Sequence, residues 1–379
     1  MDFQLSEQRL MLQRSVKEFA EKELLPEVRE RDETSTFPVE AYQKMGKMGL
    51  IGLPYPKEFG GQGGDYLDYA LAVEEIAKVD GSVAIAYSVS TSLYGGSVMN
   101  AASDEQKKAY LPAVLSGETF GAFGLTEPNA GSDAGGCITT AVKEGNHYII
   151  NGAKCFNTNG PLADYFAVYA LTQPEKKAKG LSCFLVKKGT PGFSIGKIED
   201  KMGIRSAQVS ELIFENCCVP EENLMANEGD GFKIAMKTLD CGRIGVAAQG
   251  LGLAEGAFEI ARKYLMQREQ FGKPLFKNQY LSFKMVELDC QIEQAKYMLY
   301  KAALDKSEGR PYTISAAKAK LLCTNAAMDV STEAVQMLGG NGFMKDYHVE
   351  RMMRDAKITQ IYEGTNEIQK LVIGGSLFR

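Results

Sequence analysis

The chain has little of what most metal-dependent and many hydrolytic enzymes require. Histidine occurs only at positions 147 and 348 among 379 residues, which excludes a histidine-rich metal site. The eight cysteines contain no CxxC pair, a pattern that favours reduced thiols packed as small apolar side chains. The G-x-S-x-G elbow of many serine hydrolases is also missing. We therefore expect no bound metal ion.

Long apolar runs and an excess of positive charge are lacking as well. No stretch approaches the roughly 20 uninterrupted apolar residues that span a bilayer. The net charge of -5 leaves no broad basic surface for nucleic acid or for an anionic membrane. The first 24 residues carry acidic and basic side chains throughout, unlike a secretory signal. We expect a cytoplasmic protein that binds neither membranes nor nucleic acid.

The spacing of apolar residues changes twice along the chain, from helical to β and back to helical. These changes predict an α+β fold with three regions. Residues 1–118 have the apolar spacing of helices, with long helices expected around 68–79 and 104–116. Residues 119–228 are punctuated by Gly, Asn and Pro and predict a compact β-barrel or sandwich. Its clearest expected strands are 147–150, 165–169 and 182–186.

Residues 229–379 predict a C-terminal four-helix bundle. An apolar stripe steps by three and four residues and needs a partner helix; it consists of Met285, Leu288, Ile292, Ala295 and Leu299. Further helices are expected at 232–268, 311–338 and 365–376. This order of elements is not the βαβ alternation of a dinucleotide-binding fold, and neither G-x-G-x-x-G after a strand nor a P-loop occurs.

Two segments of the β region have the composition of a surface for a planar ligand. Residues 123–133 form a strand end running into a loop with hydroxyls, glycines and a proline. In residues 154–160, Phe156 and Thr158 point the same way if the segment is extended, because strand side chains alternate. Each segment alone is also compatible with an ordinary strand and turn.

Two further constellations lie in the first long helix of the C-terminal region and at its end. Asp240 and Arg243 are three residues apart and share a helix face, as a surface ion pair or as a fixed contact to a ligand. Gly272 and Pro274 end that helix and leave Arg268 near its C-terminus, where it complements the helix dipole or clamps a pyrophosphate.

The last two constellations follow later helices. The glycines within residues 336–343 permit positive φ and close backbone approach, in a helix C-cap or at a ligand. Glu363 lies between the apolar Ile361 and Tyr362 and a helix start that Thr365 can cap. Desolvation in such surroundings raises the pKa of a carboxyl toward the range of a general base.

Together, in this order and with these separations, the six constellations resemble the acyl-CoA dehydrogenase family across essentially the whole chain. Within that family, the sequence most resembles short-chain and butyryl-CoA dehydrogenases. The resemblance implies α,β-dehydrogenation of a short-chain acyl-CoA thioester, or the reverse reduction of an enoyl-CoA such as acryloyl-CoA. It also implies FAD as the cofactor, an electron-transfer flavoprotein as partner, and a homotetramer.

The same resemblance implies a role for each matching residue. Glu363 is expected to remove the α-proton. The expected cofactor contacts are Phe123, Leu125, Thr126, Phe156, Thr158, Arg268, Phe271, Gln279, Gln336, Gly339, Gly340, Thr365, Asn366 and Glu367. Part of that set is expected to serve a neighbouring subunit. The expected substrate contacts are Ser132, Asp240, Arg243 and Gly364.

Three positions distinguish this sequence within the resemblance. Some relatives carry the base near Arg243, where Gly242 stands here, so Glu363 has no rival. The segment 84–88 lacks the arginine of glutaryl-type enzymes, which argues against a dicarboxylic acyl group. Asn157 replaces a usually apolar residue. A relative with oxidase activity and a non-catalytic acyl-CoA-binding scaffold remain as alternatives.

Overall fold

In the computed structural model, which describes residues 4–378, the N-terminal region is helical. Ser6 caps the first helix, and Asp65 begins the fourth with a capping box completed by Asp68. The helices are α1 Glu7–Phe19, α2 Val28–Thr34, α3 Val39–Lys47, α4 Tyr66–Ala77, α5 Gly81–Ser88, α6 Gly96–Ala101, α7 Asp104–Tyr110 and α8 Pro112–Leu115. A π-helical segment, Val89–Gly95, joins α5 to α6.

One predicted helix of this region is divided in two. The expected helix at 104–116 is interrupted at Leu111, and Pro112 begins α8. Proline lacks the N–H that would continue the first helix but fits the first position of the second. The other expected helix, at 68–79, corresponds to α4 with both ends two residues earlier.

The middle of the chain forms one mixed sheet. Its strands are β1 Phe120–Gly124, β2 Thr140–Glu144, β3 His147–Thr158, β4 Ala163–Leu171, β5 Leu181–Lys187, β6 Phe193–Ile198, β7 Val209–Pro220 and β8 Leu224–Met225. The spatial order is β6-β7-β3-β2-β4-β5-β8, with β1 parallel to β4. All three strands expected from composition lie within β3, β4 and β5.

The C-terminal region is a bundle of long helices, as predicted. Its elements are α9 Gly231–Gln267, the hairpin β9 Glu269–Gln270 and β10 Lys273–Pro274, α10 Gln279–Ser307, α11 Thr313–Leu338, α12 Val349–Thr359 and α13 Asn366–Leu377. The apolar stripe of α10 packs against the core, with Leu288, Ile292, Ala295 and Leu299 buried. Within the described residues no helix is long and apolar enough to cross a membrane.

A small apolar cluster marks where the three regions meet. Ile85, Val89 and Leu93 from the N-terminal helices are buried together with Ile204 and Ala207 from the β region. The residues packed around them are Phe123, Leu239, Ile358 and Tyr362. The strand end of the first predicted ligand segment and the loop that carries Glu363 therefore line the same apolar cluster.

Candidate active site

Glu363 lies in the short loop between α12 and α13 and has an unusual backbone. Its φ is 52° and that of Gly364 is 91°, so two successive residues occupy the left-handed region. A non-glycine residue held there costs about 1–3 kcal/mol, and such strain is concentrated at functional sites. As predicted, Thr365 caps α13, its hydroxyl accepting from the Ile368 N–H at 3.3 Å.

The Glu363 carboxyl group is buried without a partner. Neither of its oxygens is exposed to solvent or hydrogen-bonded to any of residues 4–378. The backbone N–H of Glu363 also finds no acceptor among these residues. Buried polar groups are nearly always paired in folded proteins, so this cluster of unsatisfied atoms indicates a place for a ligand.

Helix α9 provides the space for this carboxyl at Gly242. A Cβ built on Gly242 would lie 1.9 Å from Glu363 Oε2 and 2.7 Å from Leu93 Cδ2. Real Cβ atoms do not approach other atoms so closely. A side chain at position 242 and the observed carboxyl of Glu363 therefore exclude one another.

Burial dominates the electrostatics of Glu363. Desolvation raises the pKa of its carboxyl to about 8, against the opposing effect of the cations Lys320 and Arg243. Such a value lies near the pH at which a general base works best. The expectation of a raised pKa, made from the apolar neighbours in the sequence, agrees with this burial.

Asp240 and Arg243 form a buried contact instead of a surface ion pair. Arg243 Nη1 donates to Asp240 Oδ1 at 2.5 Å, and both side chains are largely shielded. Asp240 Oδ2 also accepts from the Thr313 hydroxyl at 2.6 Å. Arg243 Nε is buried without a partner in the described residues, which leaves a charged donor for a ligand.

Lys320 is a site residue that the sequence analysis missed. It lies on α11, fully buried, and its ammonium donates to the carbonyl of Gly364 at 3.0 Å and to Asn366 Oδ1 at 2.9 Å. Its spacing from the buried Ala316 and Cys323 places it on the apolar face of the helix. A lysine on the apolar face of a helix was the feature of the sequence that could have identified this site residue.

The expected flavin-facing segments meet at the ends of β1 and β3. The Cys155 N–H donates to the Thr126 carbonyl at 2.9 Å, which joins the two segments. Lys154, which is wholly buried, donates to the Leu125 carbonyl at 3.1 Å and to Glu127 Oε1 at 2.6 Å. This buried ion pair anchors the loop after Phe123, and the sequence alone did not indicate it.

Phe156 does not have the extended conformation in which it and Thr158 would point the same way. Phe156 has φ of 59°, and the pairing of β3 with β7 shifts register between Lys154 and Asn157. A bulge leaves a residue out of the ladder and redirects side chains. Asn157, the departure noted in the sequence, is buried, and its amide donates to the Ser210 carbonyl at 3.0 Å. Phe156 remains 67% exposed and Thr158 is half-buried.

Leu93, and not its neighbour Tyr94, approaches the carboxyl. The side chain of Tyr94 packs elsewhere. Its ring instead lies against the backbone of Gly121, and its hydroxyl donates to the Tyr110 carbonyl at 3.0 Å. The π-helical geometry of residues 89–95 adds a residue to the turn, and such segments often occur at functional sites.

A second group of expected cofactor residues lies at the far end of the bundle. Arg268 caps α9, and Phe271 in the following hairpin is 96% exposed. Asn341 donates to the Tyr264 hydroxyl at 2.9 Å, which holds the glycine turn beside the end of α9. The members of this exposed group are Arg268, Phe271, Gln279, Gln336, Gly339 and Gly340.

The remaining expected residues lie closer to the carboxyl or on the rim. Thr365 and Gly364 adjoin Glu363, and the Asn366 side chain turns inward, hydrogen-bonded to Lys320, Thr324 and Asn325. Glu367 and Ser132 are exposed. No cluster of three potential metal ligands occurs in the part of the chain that the structure describes.

Family comparisons match nearly the whole chain. The N-terminal, middle and C-terminal domains of acyl-CoA dehydrogenase match residues 6–118, 122–217 and 229–378. The chain belongs to the acyl-CoA dehydrogenase family. The resemblance drawn from the six constellations, the fold and the enzyme class it implied are thereby confirmed.

Individual relatives agree with the family match. A short-chain specific acyl-CoA dehydrogenase of Clostridium acetobutylicum is 54% identical, with 100% of both chains covered. An acryloyl-CoA reductase (NADH) of Anaerotignum propionicum is 45% identical over 100% of this chain and 96% of its own.

Solved structures of the family are closely similar in fold. Butyryl-CoA dehydrogenase from Megasphaera elsdenii is 48% identical, with both chains fully covered and a TM-score of 0.98. A chain in the structure of the electron transferring flavoprotein of Acidaminococcus fermentans is 50% identical, with 100% of both chains covered and a TM-score of 0.99.

Proposed function

We propose that this protein catalyses the flavin-dependent α,β-dehydrogenation of short-chain acyl-CoA thioesters to trans-2-enoyl-CoA, or the reverse reduction. The observation that carries the proposal is the buried, unpartnered carboxyl of Glu363 beside Gly242. Family membership implies a flavin cofactor, and the relatives named above act on acyl-CoA esters.

The residues at the β-strand ends fit an FAD ring. Phe156 is an exposed aromatic side chain, and the half-buried Thr126 and Thr158 carry hydroxyls in the two segments that the hydrogen bond from the Cys155 N–H to the Thr126 carbonyl joins. Phe123 and Leu125 provide apolar surface in the same region. We assign these five residues to the isoalloxazine, which when bound supplies the acceptor for the hydride from the β-carbon.

Glu363 is then the base for the α-carbon. The α C–H bond breaks, and its proton moves to a carboxyl oxygen of Glu363. The free N–H of Glu363 is available to donate to the thioester carbonyl, which acidifies the α-carbon by stabilising the enolate-like charge. In the reverse reaction the protonated carboxyl returns the proton. Because the pKa is about 8, both protonation states are accessible near neutral pH.

The substrate is held by the groups around this carboxyl. Arg243, with its unpartnered Nε, and Asp240 supply polar contacts, and Gly364 and Ser132 present backbone and hydroxyl groups to the CoA arm. Leu93 closes the apolar side next to the base. We assign the preference for a short acyl chain to that closure.

A neighbouring copy of the chain completes the cofactor site. Position 242 lies beside Glu363, and Arg268 lies 26 residues farther along α9, about 39 Å at about 1.5 Å per residue. That separation exceeds the reach of one FAD molecule. The exposed group around Arg268 and Phe271 therefore serves the flavin of another subunit, in agreement with a homotetramer.

The electron partner is an electron-transfer flavoprotein. The structural match to a chain in the Acidaminococcus fermentans electron transferring flavoprotein structure supports this assignment. The similarity to an acryloyl-CoA reductase supports the reductive direction as the alternative. We place the protein in the cytoplasm, with domains at 1–118, 119–228 and 229–379.

An anaerobic visible spectrum, recorded before and after addition of butyryl-CoA, tests the proposal. We expect a flavin spectrum that bleaches at once. Glu363→Gln is expected to retain the flavin and lose the bleaching, while the exposed Glu287→Gln variant behaves as the parent protein. Normal bleaching by Glu363→Gln would overturn the role of Glu363, and rapid peroxide formation in air would indicate an oxidase.

A further inference from the structure

Lys320 is a buried cation without an anionic partner. Its side chain has no exposed surface, and no carboxylate of residues 4–378 forms an ion pair with it. Within the part of the chain that the structure describes, its acceptors are the Gly364 carbonyl and Asn366 Oδ1. Buried charges are normally paired, because an isolated one loses its hydration. A salt bridge therefore does not explain why this lysine is buried.

The two acceptors depend on Lys320 to different degrees. Gly364 O also accepts from Gln369 Nε2 at 2.8 Å. The Thr324 hydroxyl lies 3.1 Å from Asn366 Oδ1, but its single proton is also directed to the closer Lys320 carbonyl at 2.7 Å. Lys320 thus contributes a hydrogen bond to Asn366 as well as its charge, both at a defined position.

That position is directly behind the strained turn of Glu363. Gly364 follows the base, and Asn366 begins α13. Lys320 connects both to α11, so it ties the left-handed pair Glu363 and Gly364 to the helical bundle. An ammonium at this point is fixed by two hydrogen bonds and shielded from water.

We propose that Lys320 is the positioning residue of Glu363: it holds the 363–364 turn and favours the ionised form of the carboxyl. This inference rests on the proposed function only in calling Glu363 the base. Lys320 does not touch the substrate, so it is not itself a catalytic residue.

The surrounding charges agree with this geometry. Burial lowers the pKa of Lys320 to about 7, with Glu363 and Glu367 opposing the change and Arg243 of α9 adding to it. In return Lys320 opposes the raised pKa of Glu363, as Arg243 also does. An opposite charge at close range changes a carboxyl pKa by about 1–3 in the favourable direction.

The test is a pH titration of the Glu363 carboxyl band by difference infrared spectroscopy on the holoenzyme. Glu363→Gln identifies the band. Because Lys320 itself loses its proton near pH 7, we expect the midpoint in Lys320→Met to move up by at most about one pH unit. The acid limb of kcat/KM should move with it, which lowers turnover below the midpoint by at most about tenfold.

Two comparisons separate charge from structure. Thr324→Val removes a neutral hydroxyl that lies 2.7 Å from the Lys320 carbonyl and 3.1 Å from Asn366 Oδ1, and it should leave the midpoint unchanged. Lys318→Met makes the same substitution two residues away on α11, at a half-buried position, and should also leave it unchanged. Lys320→Arg retains the charge and should restore the midpoint toward that of the parent protein.

An unchanged midpoint in Lys320→Met, or an equal displacement in Thr324→Val, would overturn the proposal. If Lys320→Met does not fold, Lys320→Gln removes the charge, retains an amide donor and is titrated with the same expectation. The infrared readout needs no turnover. Full activity of Glu363→Gln would therefore refute the proposed base and leave the result for Lys320 intact.

Discussion

The carboxyl of Glu363 fills the space that a side chain at position 242 would occupy. A Cβ at position 242 would lie 1.9 Å from Glu363 Oε2, although the two residues are 121 positions apart in the chain. A side chain at this position of α9 and the observed carboxyl on the loop before α13 therefore exclude one another. Glu363 can adopt its observed position because residue 242 is a glycine.

Gly242→Ala is therefore expected to displace the carboxyl. A misplacement of about 1 Å costs about a hundredfold in rate, so we expect kcat with butyryl-CoA to fall by about that factor. Stopped-flow measurement of flavin reduction checks this. Gly374→Ala on α13, where an added Cβ meets no atom within 4 Å, is the matched control and should leave kcat unchanged. Equal rates in parent and Gly242→Ala proteins would refute the steric argument.

The two directions of the reaction should have opposite pH dependence. With Glu363 as the proposed base, dehydrogenation needs its ionised form, so kcat/KM should rise with pH and be half-maximal near pH 8, the pKa that burial of the carboxyl sets. Reduction of an enoyl-CoA needs the protonated form, so its kcat/KM should fall through the same pH range. Steady-state assays in both directions on one preparation check the pair. If kcat/KM changed with pH in the same direction in both assays, one group could not be the base of one reaction and the acid of the other.

Leu93 should limit the length of the acyl chain. Leu93→Ala removes the side chain next to Glu363 and should raise kcat/KM for hexanoyl-CoA relative to butyryl-CoA by about tenfold or more, since one methylene is worth about 1–3 kcal/mol. Tyr94→Phe is the neighbouring control, because that side chain points toward Tyr110. For Tyr94→Phe, the ratio of kcat/KM with hexanoyl-CoA to kcat/KM with butyryl-CoA should equal that of the parent protein. An unchanged ratio in Leu93→Ala would show that another residue closes the pocket.

The sequence predicted those features that depend on local pattern. The apolar stripe of α10 and the cap at Thr365 follow from residues within a few positions of one another, whereas the space that buries the Glu363 carboxyl is formed by the distant Gly242 and Leu93. The break at Pro112 is also local, because proline cannot continue the helix that precedes it.

What the sequence did not predict depends on pairings across the chain. Lys320 meets Gly364 from 44 residues away, and Lys154 meets Glu127 from 27. The bulge at Phe156 arises where β3 pairs with β7, so it is a property of two strands and not of the 154–160 segment. The resemblance implied that the six constellations act together, but it assigned no role to Lys320 or Lys154.

Asp355 should be among the most stabilising ionic residues, because it connects the regions that enclose the site. It is buried on α12, 3.0 Å from Arg351, and it accepts a hydrogen bond from the Ile204 N–H of the β region. Asp355→Ala leaves a buried guanidinium and a buried N–H without this partner. We expect the free energy of unfolding to fall by about 3–5 kcal/mol.

Urea unfolding at one fixed protein concentration checks this value, since association also contributes to stability. Asp346→Ala is the matched control, because Asp346 pairs with Arg29 at 2.6 Å in an exposed position. Exposed ion pairs contribute little, so no measurable change is expected. Similar losses in the two variants would mean that burial does not distinguish the pairs. A small loss in Asp355→Ala alone would mean that Arg351 finds another partner, and the Val79 carbonyl, 2.8 Å from its Nη2, is the nearest acceptor that remains.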